Sequence, residues 1–103
     1  MMINVMLVCE YGISTSLMED ALKKEIKKRD IDMHIQAYSI TDVSKYIDKM
    51  DYILLGPQVG FRKGELLKKY PNKESVMSVM SPEDFALLNT KKVLDDVLKN
   101  LNK

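Results

Sequence analysis

The feature that most constrains this chain is a repeated change of hydrophobic period along its length. Residues 3–8, INVMLV, form a nearly continuous apolar run, the pattern of a strand buried on both faces of a sheet. Leu17, Met18, Ala21, Leu22 and Ile26 then recur at helical spacing down to about Arg29. Over residues 32–38 the period drops to two, Met33, Ile35 and Ala37 alternating with Asp32, His34 and Gln36, which predicts an edge strand with one wetter face. A short helix with Thr41 as its cap, burying Val43, Ile47 and Met50, precedes the apolar run Tyr52, Ile53, Leu54, Leu55. Leu66, Leu67 and Tyr70 mark a further helix, stopped by Pro71. Val76, Met77, Val79 and Met80 read as a fourth strand, and Pro82 suits the first turn of a helical segment after Ser81. Val93, Leu94, Val97, Leu98 and Leu101 line one face of the last helix.

Strands alternating with helices pair in parallel through right-handed crossovers, so the expectation is a three-layer α/β domain over residues 1–103 with an open four-stranded parallel sheet in the order 2-1-3-4. Ligands in such sheets bind beyond the carboxyl ends of the strands, where the winding reverses. That point falls between strands one and three. It brings residues 9–16 beside residues 56–61, placing two glycine-bearing loops and the one thiol of the chain in a single crevice.

Composition removes several function classes. Sixteen Lys and Arg against fifteen Asp and Glu leave a net charge of +1, too little to attract nucleic acid or anionic lipid over distance. No apolar run approaches the roughly 18 residues of a membrane span, and no basic leader precedes residues 3–8, which points to the cytoplasm. A lone cysteine, Cys9, and a lone histidine, His34, provide neither an internal disulfide nor a structural zinc site. His34 lies in the polar phase of the edge strand, away from the crevice, and reads as a surface residue. No cofactor is implied.

The chemistry therefore concentrates in residues 9–16, CEYGISTS. A chain leaving a buried strand and entering a helix points successive N–H groups into one concavity, where the helix dipole favours an anion. Gly12 relieves steric restriction there, and the hydroxyls of Ser14, Thr15 and Ser16 can add donors. Ser16 and Glu19 also have capping-box spacing. Cys9 stands at the rim, where partial positive charge supports a nucleophilic sulfur while Glu10 opposes it. Between Cys9 and Ala21 there is no Lys, Arg or His. A cysteine phosphatase needs an arginine fork in this loop, and Thr15 occupies its place. A cup of neutral donors suits a phosphoryl carrier better than a hydrolase.

The run CEYGISTSLM, residues 9–18, together with LLGPQ at 54–58 and PNK at 71–73, resembles the IIB component of the bacterial sugar phosphotransferase system in its lactose/cellobiose (chitobiose) family. The resemblance covers most of the chain. It implies a four-stranded parallel α/β domain whose Cys9 accepts a phosphoryl group from the phosphohistidine of a IIA partner and passes it to a sugar held by the membrane IIC partner. It further implies that Glu10, Tyr11, Gly12, Ile13, Ser14, Thr15 and Ser16 wrap the phosphoryl oxygens, with Gln58 adding a side-chain donor. One departure is visible: Phe85 and Ala86 stand where members of the family often carry Tyr-Gly.

Tyr11, Ile13, Val59 and Phe61 are apolar residues around the thiol, read either as contacts to IIA or as ordinary core packing. Two rival functions share the strand-loop-helix logic: a low-molecular-weight cysteine phosphatase, or arsenate-reductase-like enzyme, and a noncatalytic regulatory domain.

Overall fold

The structure, a computed structural model, describes residues 2–10 and 12–102, with the side chains of residues 12–15 outside the description. Four strands form one parallel sheet: β1 (Ile3–Cys9), β2 (Met33–Ser39), β3 (Tyr52–Leu55) and β4 (Met77–Val79), in the order β2-β1-β3-β4. The predicted order is the observed one. Helices α1 (Gly12–Lys28), α2 (Val43–Tyr46), α3 (Lys63–Lys69), α4 (Pro82–Ala86) and α5 (Thr90–Leu101) complete the chain.

From Val5 to Cys9 β1 is apolar and buried because its two faces meet different layers. Val5 and Leu7 pack with Met18, Leu22 and Ile26 of α1 and Val93, Leu94 and Val97 of α5. Met6 and Val8 turn the other way, onto Val43, Ile47, Val59 and Leu66. Successive side chains of a strand alternate between faces, so every residue from Val5 on, where both helical layers cover the strand, is apolar, and the polar Asn4 falls on its half-buried start. β2, at the edge, keeps Met33 and Ile35 buried and leaves His34 and Gln36 exposed, as its alternation predicts. His34 is thus a surface residue, with Nε2 lying 3.4 Å from Gln36 Oε1.

Polar pins fix the layers in register. The Tyr52 hydroxyl donates to Ser78 Oγ at 2.7 Å and accepts from Asn100 Nδ2 at 2.8 Å, linking β3, β4 and α5. Arg29 donates to Glu25 Oε2 at 2.7 Å and to Asp95 Oδ1 at 2.6 Å, joining α1 to α5.

The predicted boundaries shift where tertiary partners intervene. Ser39, not Thr41, caps the turn after β2, its hydroxyl accepting from Thr41 N at 3.3 Å. Pro57–Arg62, expected as an irregular loop, is a run of 3-10 helix. A methyl group on Gly60 would stand 2.7 Å from Val79 Cγ1, so the bare backbone at Gly60 lets this run lie against β4.

Ser81 caps α4, accepting from Asp84 N at 3.0 Å. The Asp84 carboxylate accepts from Lys92 Nζ at 2.8 Å and Asn89 Nδ2 at 3.0 Å, and these bonds, that from Lys92 foremost, hold it below the usual carboxylate range. A carboxyl depressed in the folded state stabilises the fold above its unfolded value near 3.8, and loses that contribution as pH falls through the lower folded value. Asp84→Asn therefore lowers the melting temperature at neutral pH, and the gap to the parent closes in acid. A gap that persists unchanged into acid would contradict this role for the carboxylate.

Candidate functional site

The carboxyl ends of the strands meet along one edge of the sheet. Gly56 N donates to Val8 O at 2.8 Å, hooking the segment after β3 to the end of β1, and Met80 N donates to Leu55 O at 2.8 Å. The ends of strands one and three are thus held side by side by direct main-chain bonds, as the strand order predicts.

Cys9 is the last residue of β1 and lies opposite Ser39. α1 starts at Gly12, so only residues 10 and 11 connect strand to helix. This corrects the expectation of a loop over residues 9–16 with its helix start at Ser16: Ile13, Ser14, Thr15 and Ser16 already belong to the helix. Glu10 is an exposed bend and Ser16 is exposed on α1. Tyr11 and the side chains of Gly12, Ile13, Ser14 and Thr15 lie outside the described residues, so the phosphate-binding and partner contacts expected of them lie there too. The first amides of an α-helix have no partner within it, and the dipole of a helix running from Gly12 to Lys28 adds to their pull on an anion.

The sulfur is covered. Cys9 is 0 % exposed, whereas the sequence places it at an open rim. The reason is its parity: it follows Val5 and Leu7 on the face that α1 and α5 cover. Its Sγ donates to the carbonyl oxygen of Tyr38 at 3.7 Å. Tyr38 is itself half-buried, its ring 5.0 Å from that of Tyr46, and burial pushes its phenol above the ordinary range. Native protein should accordingly be alkylated at Cys9 by iodoacetamide at least about tenfold more slowly than protein in urea, since reaction requires local opening. Equal rates in the two states would show an open thiol.

Around the second strand end, Gln58 is exposed on the 3-10 run. Val59 is 1 % exposed and packs with Met6, Val8 and Leu55, so the core reading replaces the partner-contact reading at this position. Phe61, in contrast, is 78 % exposed.

Sequence reasoning missed Glu19. Its spacing from Ser16 suggested a cap, yet its carboxylate reaches across to β2 and accepts from Ala37 N at 2.5 Å, with Lys23 Nζ at 3.7 Å. Nothing in local spacing could announce a partner in the next strand.

Phe85 is half-buried against the core on the α1 and α5 side, and with Leu17, Met18, Ala86 and Leu88 it borders an apolar cavity of about 190 Å³. The position where a Tyr-Gly pair was expected is thus an apolar one. Among the described residues no helix is long and apolar enough to cross a membrane.

The molecule is thus a small parallel α/β domain with a cysteine closing an inner strand and a helix opening just beyond. Residues 4–96 match the family described as PTS system, Lactose/Cellobiose specific IIB subunit, and the chain belongs to that family. It is 35% identical over 95 residues to the galactose-specific EIIB component of the PTS from Lactococcus lactis subsp. cremoris (strain MG1363), covering 87% of this chain and 88% of the relative. Identity and coverage are the same for the cellobiose-specific EIIB component of Lactococcus lactis subsp. lactis (strain IL1403). The solution structure of a cellobiose-specific IIB component from Borrelia burgdorferi superimposes with a TM-score of 0.82 at 30% identity, covering 99% of this chain and 94% of that one. The chain is a phosphocarrier of the sugar phosphotransferase system, a phosphotransferase working with IIA and IIC partners. Neither rival function is favoured.

Proposed function

We propose that residues 1–103 act as one IIB domain at the cytoplasmic side of the membrane, carrying phosphate on Cys9 from the phosphohistidine of IIA to a sugar bound by IIC. The observation that carries this reading is the position of Cys9, the last residue of the central strand, with α1 opening at Gly12. The Cys9 sulfur attacks phosphorus, the S–P bond forms as the P–N bond breaks, and the imidazole nitrogen of IIA keeps the departing electron pair while the proton released by the thiol neutralises the leaving imidazole. At IIC a sugar hydroxyl attacks the same phosphorus, the O–P bond forms as the S–P bond breaks, and sulfur leaves with its electrons, the hydroxyl proton passing in net to the sulfur to restore the thiol.

Such transfers depend on in-line positioning and charge stabilisation rather than acid–base groups. The opening amides of α1, the segment Glu10, Tyr11, Gly12, Ile13, Ser14, Thr15 and Ser16, and the amide side chain of Gln58 are the donors for the phosphoryl oxygens. Because Cys9 has no exposed surface, donor docking must uncover the sulfur before attack. Phe61, exposed on the segment hooked to β1, is the apolar contact for IIA together with Tyr11 and Ile13.

The sugar is a β-glucoside disaccharide such as cellobiose, or lactose; relatives of equal identity are named for galactose and for cellobiose. Thr15 in place of an arginine leaves the phosphoryl group transferable rather than hydrolysed. Intact-mass measurement tests the reading. Phosphoenolpyruvate and the upstream components should add one phosphoryl group, and IIC with its sugar should remove it. An adduct that survives IIC and sugar, or rapid turnover of an aryl phosphate, would overturn it.

A further inference from the structure

We propose that Glu19 is a positioning residue for phosphoryl transfer, tying α1 to the free edge of β2 at Ala37 and thereby fixing where the first turn of α1 stands at the end of β1. This rests on the reading of Cys9 as the phosphoryl acceptor.

The geometry begins with the sheet. Ile3 N donates to Asp32 O at 2.9 Å, and in a parallel ladder the peptide groups of a strand alternate between its two sides. Residues of even number in β2 therefore turn their N–H toward β1, and those of odd number, Ala37 included, turn theirs to the open edge. The Glu19 carboxylate takes up that N–H. The next residue, Tyr38, supplies the carbonyl that accepts from Cys9 Sγ, and the one after, Ser39, is the register partner of Cys9. Helix and nucleophile thus grip one short stretch of β2.

Apolar contacts alone would not fix the helix so closely. Met18, Leu22 and Ile26 hold α1 down on the sheet, but burial is non-directional and tolerates sliding and rotation. A charge-assisted hydrogen bond sets both distance and direction. Gly12 lies one to two turns upstream of Glu19, about 10 Å along the axis, so a small rotation at the tether displaces the opening amides. Misplacement of reacting groups by about 1 Å can cost on the order of 100-fold in rate.

The test measures transfer from phosphorylated IIA to the full chain under single-turnover conditions. Glu19→Ala should lower the saturating rate about tenfold and leave the half-saturating IIA concentration within about twofold of the parent. Glu19→Gln should stay within about twofold on both measures, because its amide oxygen still accepts from Ala37 N. Ala37→Pro removes the donor instead, on an edge-facing N–H where proline is tolerated. It should slow transfer like Glu19→Ala, and the pair together should lose no more than either alone. Every variant is assayed at a temperature where its circular dichroism matches the parent.

Parental rates in Glu19→Ala would overturn the proposal. So would Gln failing as badly as Ala, additive losses in the double variant, or an effect confined to half-saturation. The underlying reading is judged separately: Cys9→Ala loses the phosphoryl adduct whatever Glu19 does, and an adduct retained there would refute Cys9 without bearing on the tether.

Discussion

Cys9→Ala should abolish phosphoryl acceptance altogether, with no adduct visible by intact mass after incubation with phosphoenolpyruvate and the upstream components. Other nucleophilic side chains are present, but neither His34, exposed beside Asn4 on the edge strand β2, nor the hydroxyl of Ser16 stands at the end of β1. Cys9→Ser sharpens the test. An alcohol is far less ionised and less nucleophilic than a thiol at neutral pH, so the serine variant should transfer at least about 100-fold more slowly although its shape is nearly unchanged. Both variants should keep the parental fold, because Cys9 contributes only a small side chain to the layer over β1. An adduct on Cys9→Ala at the parental level would place the acceptor elsewhere.

Leu7→Ala should be the most destabilising simple truncation in the sheet. Leu7 is 0 % exposed in the middle of β1, among the side chains of α1 and α5. Removing its isobutyl group loses transfer free energy and leaves a cavity, about 2–5 kcal/mol in total. A domain of this size has only about 5–15 kcal/mol of stability to lose. Urea unfolding should show a lower midpoint with an unchanged slope. Leu17→Ala is the matched control: Leu17 is 71 % exposed, and its truncation should change stability by less than about 0.5 kcal/mol. Similar midpoints for the two variants would mean that β1 is not packed between two layers as described.

What the sequence disclosed was decided by local pattern. β1 and β3 were legible because strand stretches buried on both faces, Val5–Cys9 and Tyr52–Leu55, are runs of apolar residues. β2 was legible because only one of its faces is buried. The strand order was one of several that connectivity and handedness permit, and the nearness of the ends of β1 and β3 followed from it. The start of α4 was legible because Pro82, directly after Ser81, suits a first helical turn.

The failures share the opposite cause. Ser16 and Glu19 have the spacing of a capping box, but α1 opens at Gly12, and Glu19 answers a main-chain donor in β2 that only the folded sheet brings near. For Val59 the sequence left contact with IIA and core packing both open. Coiled as a 3-10 run against β4, its segment turns Val59 inward and Phe61 outward. The covered sulfur of Cys9 was equally hidden, since it depends on which face the ninth residue of the chain presents to α1. Spacing reveals which residues gather at one end of a sheet; their exposure is settled by packing.

The tether at Ala37 also bears on how the molecule keeps to itself. An open strand margin is a template on which another chain can crystallise its own backbone. Here Glu19 occupies one bonding position on the β2 margin, and the opposite margin, β4, offers only Met77–Val79 before the chain turns away. A shuttle that must meet and leave other proteins gains from each bonding position so taken up, because a second copy seated on the rim would compete with them.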